Sequence, residues 1–384
     1  MEYKLEELFD LQMGKTPSRN NPEYWNTEDN KWISIADLSK CGKYIETTKE
    51  HISNNAVTES GISQIPENTV IMSFKLSIGK TAITSEPMYS NEAIMSFRDR
   101  HVIDLLPDYL YYLFSGKDWD VGTNKAVMGN TLNKATLSKV KIRVHDIQKQ
   151  KEIVDVLDKV RGIITARQQQ LQKLDELVKA RFVEMFGDAE NGESKYPIET
   201  LGNLSTKISD GVHAKPEYTE IGRPFLSVVN INQKKIDFTD CKFVSEEAYQ
   251  KMIKSTKPEK GDVLYTKVGA TYGIPAYVDT DVEFCLYVSV CLIKPMHEKI
   301  NSRFLAIQMD TPFVKHQADK RIKGIGVPDL HLNQIRELQI ICPPREMQDE
   351  FVHFVEQTDK SKFVEIIELL NLLIYTITKE VSPW

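Results

Sequence analysis

The chain has 384 residues, with 49 Lys and Arg against 55 Asp and Glu and a formal net charge of −6. That length exceeds a single core and suits two domains of about 190 residues each. Charge from the second residue onward argues against a signal peptide, and the apolar stretch from Val364 to Ile377 is too broken by Glu365, Glu368 and Asn371 to span a bilayer, so a soluble, cytoplasmic protein without membrane contact is expected.

From the N-terminus, Tyr3, Leu5, Glu6, Leu8, Asp10 and Leu11 recur as Tyr196, Ile198, Glu199, Leu201, Asn203 and Leu204, all displaced by 193 positions. The same offset takes Trp32 through Leu38 to Phe225 through Ile231, and Asn68 through Ser73 to Gly261 through Thr266. Further on the offset drifts to 198, where Gln150, Glu152, Ile153 and Val154 meet Gln348, Glu350, Phe351 and Val352. Two copies exclude a solenoid, which needs three or more stacked units. They predict a pseudo-two-fold molecule able to present two similar faces to one elongated target.

Up to about residue 145, short strand-like runs (Trp32 to Leu38, Val70 to Phe74, Lys139 to Val144) alternate with turn residues, and Asp108 to Ser115 is the best helix. The texture then changes. Ile153, Leu157, Val160, Ile164, Arg167, Leu171, Leu174, Val178, Arg181 and Met185 follow at steps of four and three, a heptad seam that predicts a helix over about 147–186, roughly 60 Å long. Gly187 supplies its stop. The second copy repeats the plan, with strands near Phe225 to Ile231, Val263 to Lys267, Phe284 to Ile293 and Leu338 to Cys342, a helix near Ser302 to Met309, and a long helix from about Glu346 to Lys379. The expected fold is α+β: two mixed α/β domains (1–145 and 189–343) and two long helices (146–188 and 344–384) paired antiparallel as a coiled coil. Leu157, Ile164, Arg167, Leu171 and Leu174 would meet Val355, Glu365, Leu369 and Leu372, with Arg167 facing Glu365 at the midpoint. Two helices each lying on its own domain is the alternative.

Catalytic patterns are missing. Gly79-Lys80-Thr81 and Gly14-Lys15-Thr16 lack the glycine a phosphate loop needs five positions earlier, where Phe74 and Phe9 stand. Pro343-Pro344 lacks the preceding Asn or Asp and following aromatic that grip a flipped base, and no metal-spaced histidine pair occurs. Five scattered cysteines (Cys41, Cys241, Cys285, Cys291, Cys342) read as reduced and buried rather than zinc-binding. No catalytic, metal or cofactor site is expected on this chain.

The overall charge is acidic, so nucleic-acid binding depends on where cations gather with planar hydrogen-bonding side chains. Three loops in each copy do so. The first copy offers Lys15 and Arg19, then Lys75 and Lys80, then Asn124, Lys125, Asn130 and Asn133. The second offers His213 and Lys215, then Lys267 and Tyr272, then Lys320, Arg321 and Lys323. These side-chain types read base edges or meet phosphate.

Over its whole length the chain resembles the DNA-specificity subunits of type I restriction-modification enzymes. The residues that carry the likeness are Gly14 through Arg19 with Tyr24-Trp25 and Trp32 through Leu38; Ser77 through Lys80; Gly129-Asn130-Thr131; Arg181 through Asp188; Asp210 through His213; and Val327 through Asn333. The resemblance implies a non-catalytic reader of a split double-stranded DNA target. It also implies that the helices act as ruler and as docking surface for two methyltransferase subunits, joined by restriction-translocase subunits. S-adenosylmethionine, ATP and Mg would then sit on those partners. A DNA-binding scaffold without methyltransferase partners, a structural dimerisation protein that shares the coiled coil, and a stand-alone methyltransferase are the alternatives.

Overall fold

A computed structural model describes residues 1–75, 77–119, 124–126, 129–232, 234–322 and 326–376, without the side chains at 124–126, 129–131, 232, 363–365 and 367–376. The chain forms two compact units, Met1–Ala166 together with the second long helix from Leu369, and Arg167–Glu368. The boundary between these units falls inside both long helices.

In the first unit, Phe9–Met13, Ile94–Asp99, Val70–Ser73 and Thr81–Thr84 lie side by side antiparallel, and Tyr44–Ile45 adds in parallel at the Thr81–Thr84 edge. The second unit repeats the first four in the order Ser205–Asp210, Val290–Pro295, Val263–Thr266 and Pro275–Tyr277. A three-stranded sheet also recurs. Asn30–Ile33 lies between Glu50–Ile52 and Tyr89–Ser90, as Arg223–Leu226 lies between Lys242–Val244 and Cys285–Leu286, with one antiparallel and one parallel pairing each time. The duplication seen in sequence is thus a duplication of sheet topology.

Two expected strands stop early. Trp32 to Leu38 is extended only to Ile33, then turns into the helix Ile35–Lys40, because Ser34 accepts the Asp37 N–H and Asp37 accepts that of Ser34. Ser227 and Asn230 end the Phe225 strand in the same way, the Asn230 side chain accepting the Ser227 N–H at 3.0 Å. The expected loop that carries Lys320, Arg321 and Lys323 is helix up to Arg321 instead, Pro312–Arg321, opened by a proline in its first turn, where no N–H is needed.

The first long helix runs Ile147–Phe186 and ends at Gly187, whose φ of 86° brings a hypothetical Cβ to 2.0 Å from the Glu193 carbonyl oxygen. All ten seam residues are buried or half-buried. The second long helix starts at Arg345 and is described to Thr376. Within the second unit the two helices run antiparallel, since Arg181 pairs with Glu350 at 3.0 Å while Asp175, further back, pairs with Lys362 at 2.7 Å. Phe182 and Phe186 both pack on Phe351, with ring centroids 5.5 Å apart. Val355 is buried in that core, whereas the side chains of Glu365, Leu369 and Leu372, and with them the expected Arg167–Glu365 contact, lie outside the described residues.

One glutamine ties each helix start to its own domain. Gln150 accepts the Leu106 N–H at 3.0 Å and donates to the Asp104 and His145 carbonyls, both at 2.9 Å. Gln348 accepts the Asn301 N–H at 2.7 Å and donates to Lys299 at 3.0 Å and Pro343 at 2.8 Å. Both are fully buried. A buried amide with every partner supplied fixes the direction in which a helix leaves its sheet.

Cys241, Cys285 and Cys291 are buried as expected, but Cys41 and Cys342 are only partly so. Among the described residues no helix is long and apolar enough to cross a membrane, and no group of His, Cys, Asp and Glu could hold a metal ion.

Candidate nucleic-acid interface

The loop after the third strand of the main sheet is built alike in both units. Ser73 Oγ accepts the Lys80 N–H at 3.1 Å and donates to the Ser77 carbonyl. Thr266 Oγ1 accepts the Ile274 N–H at 2.8 Å and donates to the Thr271 carbonyl at 2.7 Å. Gly79 (φ 89°) and Gly273 (φ 83°) close the two turns in a left-handed conformation that disfavours a side chain. Another glycine pair opens the first loop of each copy. A Cβ on Gly14 would lie 2.2 Å from the Ser90 carbonyl oxygen, and one on Gly211 2.1 Å from that of Leu286. These backbone devices hold the loops in fixed shapes.

The loop side chains differ in how free they are. In the first unit, exposed Lys15 donates to the Ser60 carbonyl, and Lys80 donates to Ser39 Oγ at 2.8 Å. Lys75 is half-buried, 5.3 Å from the Phe74 ring, and with Arg19 it helps hold the Glu92 carboxyl below its ordinary range, chiefly an effect of the Thr16 hydrogen bond. Arg19 lies 3.7 Å over the Trp25 ring and pairs bidentately with Glu50, so its charge is already matched inside the domain. Asn133 caps the helix Lys134–Ser138 by accepting the Thr136 N–H at 2.8 Å. Asn124, Lys125 and Asn130 sit on the strands of a small hairpin, Asn124–Ala126 with Gly129–Thr131, and their side chains lie outside the described residues.

In the second unit, His213 and Lys215 are exposed on the Gly211 loop. Lys320 is exposed near the end of its helix. Three other residues of the expected set are held by partners within the domain. Lys267 is buried, its side chain 5% exposed, with Nζ 3.2 Å from Asp329 and 3.8 Å from Asp210. Arg321 folds back to donate to the Gln317 carbonyl at 2.9 Å and the Glu337 carbonyl at 3.2 Å, closing the helix end. Tyr272 donates to Asp319 at 2.6 Å and carries the Lys315 ammonium 3.4 Å above its ring, which makes it an internal brace. Lys323 lies outside the described residues.

Sequence reasoning missed Glu50, the hydroxyl clamps and the Lys267 network. The 193 offset that aligns Ser73 with Thr266 was the available signal for the clamps. Nothing local distinguishes a lysine that will be buried from one that will not.

A duplicated scaffold with fixed loops and long helices suits a binding protein with two related surfaces. The family model described as "Type I restriction modification DNA specificity domain" matches residues 1–176 and again 206–372. The chain therefore belongs to the type I DNA-specificity family, the non-catalytic DNA-recognition component of these systems. It is 24% identical over 375 residues to the type I restriction enzyme MjaIX specificity subunit of Methanocaldococcus jannaschii, covering 92% of this chain and 85% of that protein. A segment of 121 residues is 30% identical to the EcoprrI specificity subunit of Escherichia coli, covering 30% of this chain and 29% of that one. In fold it resembles the crystal structure of an S subunit from M. genitalium (TM-score 0.54, 14% identity, 98% of this chain and 94% of that one). It also resembles a chain from a study of complex assembly in a type I system (TM-score 0.59, 14% identity, 98% and 95%).

Proposed function

We propose that this DNA-recognition subunit reads a bipartite target, each domain taking one half-site, and docks two methyltransferase subunits and, in the full assembly, restriction-translocase subunits. The observation that carries the reading is the repetition of one scaffold with different loop chemistry, each copy clamped to its own long helix by a buried glutamine. Two readers on fixed supports suit two base sequences at a set distance. The chain supplies recognition, while S-adenosylmethionine, ATP and Mg belong on the partners, which use the bound DNA as substrate in the cytoplasm.

The test is a domain exchange in the complete system. Replacing residues 197–343 with the equivalent segment of a relative should change one half of the methylated sequence and leave the other intact. A change in both halves, read by methylome sequencing, would reject the split reader. Recovery of methyltransferase subunits with the purified chain separates this reading from a partnerless scaffold. Incorporation of labelled cofactor methyl by the chain alone would point to a stand-alone enzyme.

A further inference from the structure

Beneath its loops the second domain buries an ionic network at the place where the first domain has Phe74. Lys267 joins Asp329 and Asp210. The Leu330 N–H donates to the Lys267 carbonyl at 2.9 Å, as the Leu132 N–H donates to that of Phe74 at 3.2 Å, so Lys267 and Asp329 replace Phe74 and Thr131. The Gly14 and Gly211 equivalence likewise places Asp210 where the first domain has Met13.

The network fixes Asp329 from several sides. Its neighbour Pro328 accepts the Gly269 N–H at 2.9 Å, and Asp329 itself bridges Val268. The network is also short of donors: one ammonium serves two carboxylates, and Asp210 Oδ1 and the buried Ser289 Oγ have no hydrogen-bond partner among the described residues. Ser289 belongs to the same knot, its carbonyl accepting the Lys267 N–H at 3.0 Å. His213 Nε2 approaches Asp210 only to 3.8 Å.

Asp329 is the outward member, its side chain 41% exposed. A fixed carboxylate on a DNA-reading surface is repelled by phosphate and attracted to N–H groups. In the major groove those donors are the exocyclic amino groups of cytosine and adenine.

We propose that Asp329, held in place by the positioning residue Lys267, accepts a hydrogen bond from a base amino group, cytosine N4 or adenine N6, at one position of the second half-site. The proposal rests on the bipartite reading above.

The experiment uses the assembled methyltransferase complex. Asp329→Ala should relax one base of the second half-site in the methylome, preserve the first half-site, and lower discrimination in duplex binding by about 10- to 100-fold. Because that variant could fold poorly, the unaltered protein is also measured on duplexes in which the amino group of each candidate base is removed in turn. One such duplex should lose affinity with the unaltered protein and make no difference to Asp329→Ala. Unchanged base preference, or a gain in affinity for all sequences alike, would overturn the assignment. Failure of the unaltered complex to methylate a split sequence would instead overturn the bipartite reading and this proposal with it.

Discussion

Where the first domain buries Phe74 beneath its recognition loops, the second buries Lys267 between two aspartates. Around that point the two domains keep the same hydroxyl clamp, the same left-handed glycine and the same backbone hydrogen bond. The contrast separates what holds the loops from what fills the space under them. Backbone geometry is set by devices that tolerate little change. The buried filling can be apolar or ionic provided it is internally balanced, since an ion pair and a hydrophobic group of similar volume are often close in stability. Duplicated readers can thus diverge in chemistry without losing their frame.

The shared frame is most severely tested at the glutamines. Gln150→Leu or Gln348→Leu removes the glutamine partner of one N–H and two carbonyls, most of them partly buried. At about 1–3 kcal/mol per orphaned group, each should lower stability by about 3 kcal/mol or more, measured by urea unfolding. Similar losses sustain the equivalence of the copies, and a loss at only one would break it.

The difference is probed next by Lys267→Met, which strands Asp210 and Asp329 together and should cost about 3–5 kcal/mol. Making Asp210→Met, Lys267→Phe and Asp329→Thr together supplies the residues of the first domain and should restore most of that stability in the same unfolding assay. If the triple variant were no better than the single one, the two fillings would not be interchangeable.

A smaller effect separates two tyrosines, Tyr44 in the first domain and Tyr272 in the second, both pushed up from 10.0 to about 12. For Tyr44 burial is the leading cause and the bond to Asp108 comes second, whereas for Tyr272 the bond to Asp319 leads. Each folded hydroxyl ionises later than the unfolded one. The stabilisation is therefore complete below pH 10 and lost as pH rises from 10 to about 12. Asp319→Asn should bring Tyr272 most of the way back, while Asp108→Asn should move Tyr44 only in part. Spectrophotometric titration of tyrosinate, referenced to the Tyr→Phe variants, reads both shifts.

The smallest change expected is at the helix Pro312–Arg321. Arg321→Ala removes two bonds to carbonyls and should cost about 1 kcal/mol of stability with the salt dependence of DNA binding unchanged. Lys320→Ala, at an exposed position, should lower the salt slope by about one unit if it meets a phosphate. A reversal of the two results would put Arg321 back on the DNA.

The copied motifs, the heptad seam and the glycine stop are properties of spacing, and spacing survives in a linear string. The duplication, the helix Ile147–Phe186 and the family were therefore legible from sequence alone. Cation-rich loops were equally visible, but not the fate of each cation. Arg19 is matched by Glu50, 31 residues away; Arg321 by the carbonyl of Glu337; and Lys267 by Asp329, 62 residues away. Charge accessibility depends on which distant groups the fold brings within about 4 Å, where a partner outweighs solvent. The sequence by itself determined that there are two readers on long helices, and tertiary structure alone decided which of their charged side chains remain free to read.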